Sequence, residues 1–230
     1  MNKKLLFSVL FLALAVLSFA QSAGNYSVAL NDDSTGVVIT AYNGSGSEVA
    51  IPLSLEGLPV KAIGKEAFRN KTTITKLIIP RGVTEIGDGA FQGCRNMVSV
   101  TLPDTLKKIG ARAFDSSGLT TVSIPAGCTD LGEGIFANCT GLKTMVLPRD
   151  IANIPANMFL GCEALNPVTI PGTIKSIGSK AFADCKALAT FNVPASVELI
   201  EFASDVFNGC SKLNLGAQVA LKKLGYNGTF

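Results

Sequence analysis

The chain has 230 residues, enough for one sizeable domain, and its 47% hydrophobic content can supply a continuous core. The formal charge is +3; without Lys3 and Lys4, which fall in an expected export segment, 18 basic side chains face 17 acidic ones. A near-neutral chain with no basic stripe offers no footprint for nucleic acid, and a chain without His lacks the side chain that titrates by default near neutral pH.

Residues 1–20 read as a signal peptide. Asn2-Lys3-Lys4 is a short positive stretch, Leu5 to Leu17 is apolar, and Ser18-Phe19-Ala20 places small residues where a signal peptidase reads, so Gln21 would open the mature chain. The apolar run is shorter than the roughly 20 residues that span a bilayer, and no second such run occurs later, so no membrane span is expected after cleavage. The final address is periplasmic, secreted or cell-surface.

Residues 21–57 read as an N-terminal β-hairpin cap. Tyr26 to Leu30 and Val37 to Tyr42 alternate apolar and polar side chains, and Asn31-Asp32-Asp33-Ser34-Thr35-Gly36 joins them. Val49-Ala50-Ile51-Pro52 looks like a degenerate first strand of the repeat array.

Residues 58–213 repeat with a step of about 23. A Phe recurs at Phe68, Phe91, Phe114, Phe136, Phe159, Phe182 and Phe207, and a Pro at Pro80, Pro103, Pro125, Pro148, Pro171 and Pro194. Before each Pro stands a short strand, such as Ile74 to Ile79 or Leu142 to Leu147, whose fourth and sixth positions share the inward face. Pro ends the ladder because it has no N–H to donate. An Ile-Gly-x-x-Ala-Phe block comes next, as at Ile63 to Phe68 and Ile177 to Phe182, and reads as a short helical turn with Ala and Phe facing inward. Two residues after each Phe come Asn70, Gly93, Ser116, Asn138, Gly161, Asp184 and Gly209, types that mostly tolerate positive φ. One unit cannot bury its own apolar side, so about seven units must stack, strand beside strand and Phe on Phe. Residues 214–230 read as a C-terminal cap, with helical spacing from Ala217 to Leu224 ending at Gly225.

The Leu-x-x-Leu-x-Ile-Pro strand, the Ile-Gly-x-x-Ala-Phe-x-x-Cys return and the 23-residue step resemble the BspA-like (Treponema pallidum-type) leucine-rich repeats, over roughly residues 26–230. The resemblance implies an α/β leucine-rich repeat solenoid. Its parallel β-sheet would lie on the concave side, with short helical turns and extended segments on the return, closed by the N-terminal hairpin cap and a short C-terminal helix cap. It also implies an exported protein that binds a protein partner in adhesion, host-protein binding or coaggregation; the alternative is a periplasmic or surface accessory protein with no host ligand. The family has no shared catalytic residues to carry over. Pro155 in place of Gly, Phe202-Ala203 in place of Ile-Gly, and the unit at Ser116-Ser117-Gly118, one residue short, mark local irregularities.

The exposed strand face is the expected partner-binding surface. Its side chains are Lys76, Ile78, Ser99, Thr101, Thr121, Ser123, Thr144, Val146, Thr169, Thr190 and Asn192, rich in hydroxyls and without an aromatic platform, so a protein fits better than a glycan. Thr and Val also suit any solvated sheet. Cys94, Cys139, Cys162, Cys185 and Cys210 fill one repeat column and Cys128 an apolar one, which suggests a ladder of buried thiols; bridges such as Cys139–Cys162 or Cys162–Cys185 are the other reading. The carboxylates are scattered, with no pair recurring at an acid–base spacing, so neither an enzyme, a cofactor nor a metal is expected. The mature protein is expected to be a monomer.

Overall fold

The computed structural model describes residues 21–230; the expected export segment lies outside them. The chain winds into stacked coils, and each coil contributes one strand to each of two parallel ladders. The front ladder is built from the strands that precede the Pro column. Glu48–Ala50 pairs with Lys76–Ile78, which pairs with Ser99–Thr101; Thr121–Ser123 pairs with Thr144–Val146; and Val168–Thr169 pairs with Phe191–Asn192. The back ladder runs Leu58–Ile63, Glu85–Ile86, Lys108–Ile109, Asp130–Leu131, and resumes with Asn153–Ile154, Ser176–Ile177, Glu201–Phe202.

The interruptions have local causes. In the back ladder the residue after each strand donates its amide to the coil before: Gly87 to Ile63 at 2.8 Å, Gly110 to Ile86 at 2.7 Å, Gly132 to Ile109 at 2.8 Å. Pro155 stands at that position and has no amide hydrogen, so the ladder stops there and restarts one coil later. In the front ladder Pro167 does the same. Towards the next coil, the Asn166 side-chain oxygen accepts the amides of Ala189 and Thr190 at 3.0 Å each. The remaining break, between Ser99–Thr101 and Thr121–Ser123, falls at the unit one residue short.

The return is not the expected helical turn. Ala67, Arg69 and Lys71 each donate to the carbonyl three residues back, while the intervening amides of Glu66, Phe68 and Asn70 point along the axis to Asp88, Ala90 and Gln92 of the next coil. A helix would need every amide turned inward. Left-handed residues enforce the alternation. All seven residues two after the Phe column have positive φ, from Asn70 (58°) to Gly209 (78°), and so do Glu66, Gly89, Arg112, Gly134, Asn157 and Lys180, two before it. Lysine, arginine and glutamate in that region cost about 1 kcal/mol each, offset by the axial hydrogen bonds the conformation permits.

The seven Phe rings are fully buried. From Phe91 to Phe182 neighbouring centroids lie 5.2–5.7 Å apart with interplanar angles of 9–14°. Coil-to-coil approach is close enough that a Cβ on Gly87 would sit 2.7 Å from the Lys65 nitrogen, and one on Gly178 2.6 Å from that of Ala156. The Gly column is therefore set by backbone contact, not by φ.

Both ends of the stack are sealed. Tyr26–Leu30 and Val37–Tyr42 form the expected antiparallel hairpin, with a further strand, Gln21–Ala23, added to its outer edge. Val37–Tyr42 runs parallel to Leu58–Ile63 and so extends the back ladder. Tyr42 stacks on Phe68 at 4.9 Å, continuing the ring column outward. At the other end the helix Leu215–Lys223 starts at Asn214, whose side chain accepts the Ala217 amide at 2.8 Å. It buries Ala217 and Leu221, while Tyr226 meets Phe207 edge-on at 5.1 Å.

Candidate functional site

The front ladder carries the side chains expected to meet a partner. Its middle residues, such as Leu77, Val122 and Val168, are buried, so strand alternation turns the flanking side chains outward. Ten of the eleven named positions are exposed: Lys76, Ile78, Ser99, Thr101, Thr121, Ser123, Thr144, Val146, Thr169 and Asn192. Thr190 is the correction, being half-buried where its amide meets Asn166.

The parallel register aligns these side chains into columns. Glu48, Lys76 and Ser99 follow one another, as do Thr121 and Thr144. Beside them run Ala50, Ile78 and Thr101, then Ser123 and Val146, then Thr169 and Asn192. The Asn192 amide donates to the Thr169 hydroxyl at 3.1 Å. Lys76 is the one cation among the eleven, and Glu48 faces it at 3.7 Å. Val146 is 60% exposed, a large apolar side chain in the middle of a hydroxyl-rich strip. Such a surface can donate and accept hydrogen bonds and make apolar contacts. None of its hydroxyls is a proton acceptor strong enough for acid–base work at neutral pH.

Sequence reasoning missed that Glu48 and Ala50 prolong the same columns, because their strand was read as degenerate. It also missed Val98, exposed just before its strand where other units have Thr75, Thr120 or Lys143.

The cysteine column is interior. Cys94, Cys139, Cys162, Cys185 and Cys210 each donate to the carbonyl of a Phe one coil earlier, at 3.1–3.3 Å, and Ser117 replaces Cys in the register, 3.2 Å from the Cys139 sulfur. All six thiols are unbridged. Burial pushes Cys94 and Cys139 up to about 11 and Cys128 and Cys210 up to about 12, and raises Cys162 and Cys185 well above the ordinary value. They are protonated at neutral pH and serve as packing, the five of the repeat column also as hydrogen-bond donors, and not as nucleophiles.

Two depressions lie elsewhere on the surface. One of about 300 Å³ sits over Gly64 and Gly87, beside the Glu85–Lys108 pair. One of about 540 Å³ runs from Gly172 to Leu199. Among the described residues no cluster of three or more His, Cys, Asp or Glu side chains is placed to hold a metal ion, and no helix is long and apolar enough to cross a membrane.

A family model described as BspA type leucine-rich repeat region matches residues 61–189 and 142–214, in six copies. Among solved structures, the leucine-rich repeat protein TpLRR of T. pallidum is 30% identical, with a TM-score of 0.86 over 92% of this chain and 99% of its own. A leucine-rich repeat protein of Bacteroides ovatus is 21% identical, with a TM-score of 0.53 over 85% of this chain and 70% of its own. The pneumococcal vaccine antigen PcpA is 20% identical, with a TM-score of 0.65 over 80% of this chain and 52% of its own; these last two share the fold. No curated protein matches.

Proposed function

This chain belongs to the BspA-type leucine-rich repeat family, and from that premise we propose that it is an exported, non-enzymatic module whose front strand face binds a protein partner. The observation that carries the reading is the register of the front ladder. It sets exposed side chains, among them the rotationally restricted Thr, Val and Ile, in ordered columns on a rigid support, so little conformational entropy is lost when a partner docks. Partner surfaces of this kind are assembled by repetition: each coil adds two outward side chains, and changing them leaves the interior intact.

Capture from host matrix and plasma proteins tests the reading. Mature protein and a Thr121→Glu/Thr144→Glu/Val146→Glu variant are immobilised in parallel. The partner should be retained by the first and lost by the second. Capture by both alike would remove the front face from the proposal. The mixed character of the face, hydroxyls with no aromatic anchor, equally suits an accessory protein that meets no host ligand. Resistance of the protein to protease added to intact cells would favour that second reading.

A further inference from the structure

The near-neutral total charge conceals opposite charges at the two ends of the solenoid. Residues 21–60 contain Asp32, Asp33, Glu48 and Glu56 and no Lys or Arg. Residues 211–230 contain Lys212, Lys222 and Lys223 and no Asp or Glu. These segments take in the two caps, so Asp32, Asp33, Glu48 and Glu56 lie at one end of the stacking axis and Lys222 and Lys223 at the other, with Lys212, like Glu201 and Asp205, in the last coil.

The C-terminal cap also shows an apolar stripe. Ala217 and Leu221 face the last coil and are buried. Leu215 and Val219, on the opposite side of the same helix, are 75% and 45% exposed, with Lys222 and Lys223 beside them. A helix covering the end of a stack has its outer side pointing away from that stack, so this stripe is the terminal surface. Lys222 lies 5.9 Å over the Phe230 ring. At the N-terminal cap, Asp32 and Asp33 are exposed in the hairpin loop next to exposed Leu30, and Glu56 occupies an exposed turn near exposed Leu53. Glu48 is already engaged by Lys76, and Asp33 accepts from Thr35 and is offset by Lys61 just beyond the segment, so Asp32 and Glu56 carry the argument.

We infer that copies of this chain stack head to tail, the C-terminal cap of one against the N-terminal cap of the next. The occupant of the outward helix face is a second copy because the complement of its chemistry, carboxylates beside exposed leucines, is carried at the other end of the same molecule. Such a contact is heterologous, so it repeats: the second copy presents a fresh C-terminal cap, and assembly proceeds along the axis. Such an assembly departs from the monomer expected from the sequence and presents the front faces of successive copies together. Stacking of the caps is independent of any binding role of the front face.

Sedimentation velocity of the mature chain reads it directly. In low salt the weight-average mass should at least double as concentration rises from about 1 μM to about 500 μM, and about 0.5 M NaCl should reverse most of the increase, since exposed charges are screened within a few ångströms there. A Lys222→Glu/Lys223→Glu variant, acidic at both ends, should stay monomeric; so should an Asp32→Lys/Asp33→Lys variant, whose N-terminal segment then sets two Lys against Glu48 and Glu56 and has lost its negative charge. An equimolar mixture of the two should associate again, because each then meets its complement. These substitutions are at exposed positions, and unchanged melting temperatures would show that the fold is kept. A chain monomeric at every concentration and salt overturns the inference. So does a dimer that survives in the Asp32→Lys/Asp33→Lys variant, which would mean two C-terminal caps pairing with each other.

Discussion

The return and the front face of each coil are made from the same repeat but obey different rules. On the return, three demands fall on nearly every unit: a Gly where an added Cβ would lie only 2.4–2.8 Å from the coil before, a Phe in the ring column, and a left-handed residue two positions on. On the front, outward positions accept Lys, Ile, Ser, Thr, Val and Asn in turn. Repetition marks where neighbouring backbones dictate the side chain. Variation marks where only solvent or a partner does.

The ring column is where the return should be least tolerant. Phe114→Ala removes a ring stacked on both sides, 5.2 Å from Phe91 and 5.6 Å from Phe136, and should cost about 3–5 kcal/mol by denaturant unfolding. A cost below about 1 kcal/mol would mean the ring column does not hold the coils together. Gly87→Ala drives a methyl group into the backbone of the preceding coil, 2.7 Å from the Lys65 nitrogen, and should cost about 1–3 kcal/mol by the same measurement.

Alkaline pH should also separate the two regions. The buried thiols have folded values above the ordinary 9.0, so their burial favours the fold fully below pH 9, and that contribution is lost as pH rises through about 11 to 12. Melting temperature should therefore fall between pH 9 and pH 11. A Thr144→Ala variant, altered only on the front, should show the same decline and lie within about 0.5 kcal/mol of the parent at pH 7. A small effect of opposite sign is expected at Arg112→Gly. Arg112 has φ of 54° in a column where Gly89 and Gly134 also stand, so glycine relieves local strain and should be neutral or stabilising by up to about 1 kcal/mol.

The same rules decide which features are legible in the sequence. The Phe and Pro columns, the hairpin, the terminal helix and the left-handed column at Asn70 to Gly209 are legible because each uses residue types with a distinct physical preference. The second left-handed column is not, since Glu66, Arg112 and Lys180 carry no mark of positive φ. That column is why the return is a chain of reverse turns and not a helix. Pro155 announces an irregularity, but its effect is plain only once the amide that glycine donates elsewhere is located. On the front, alternation gives the outward side chains directly. It fails at Thr190, which is half-buried and whose amide donates to the side chain of Asn166, one coil away.

The division of labour between the two regions is tested most directly by one variant measured in two ways. In Thr121→Glu/Thr144→Glu/Val146→Glu, two of the new carboxylates face each other across paired strands, a repulsion of about 0.2–1 kcal/mol. The melting temperature should fall by no more than about 4 °C. Partner capture by the same preparation should be abolished. Undiminished capture, or a collapse of the melting temperature like that expected for Phe114→Ala, would contradict the assignment of binding to the front and stability to the return.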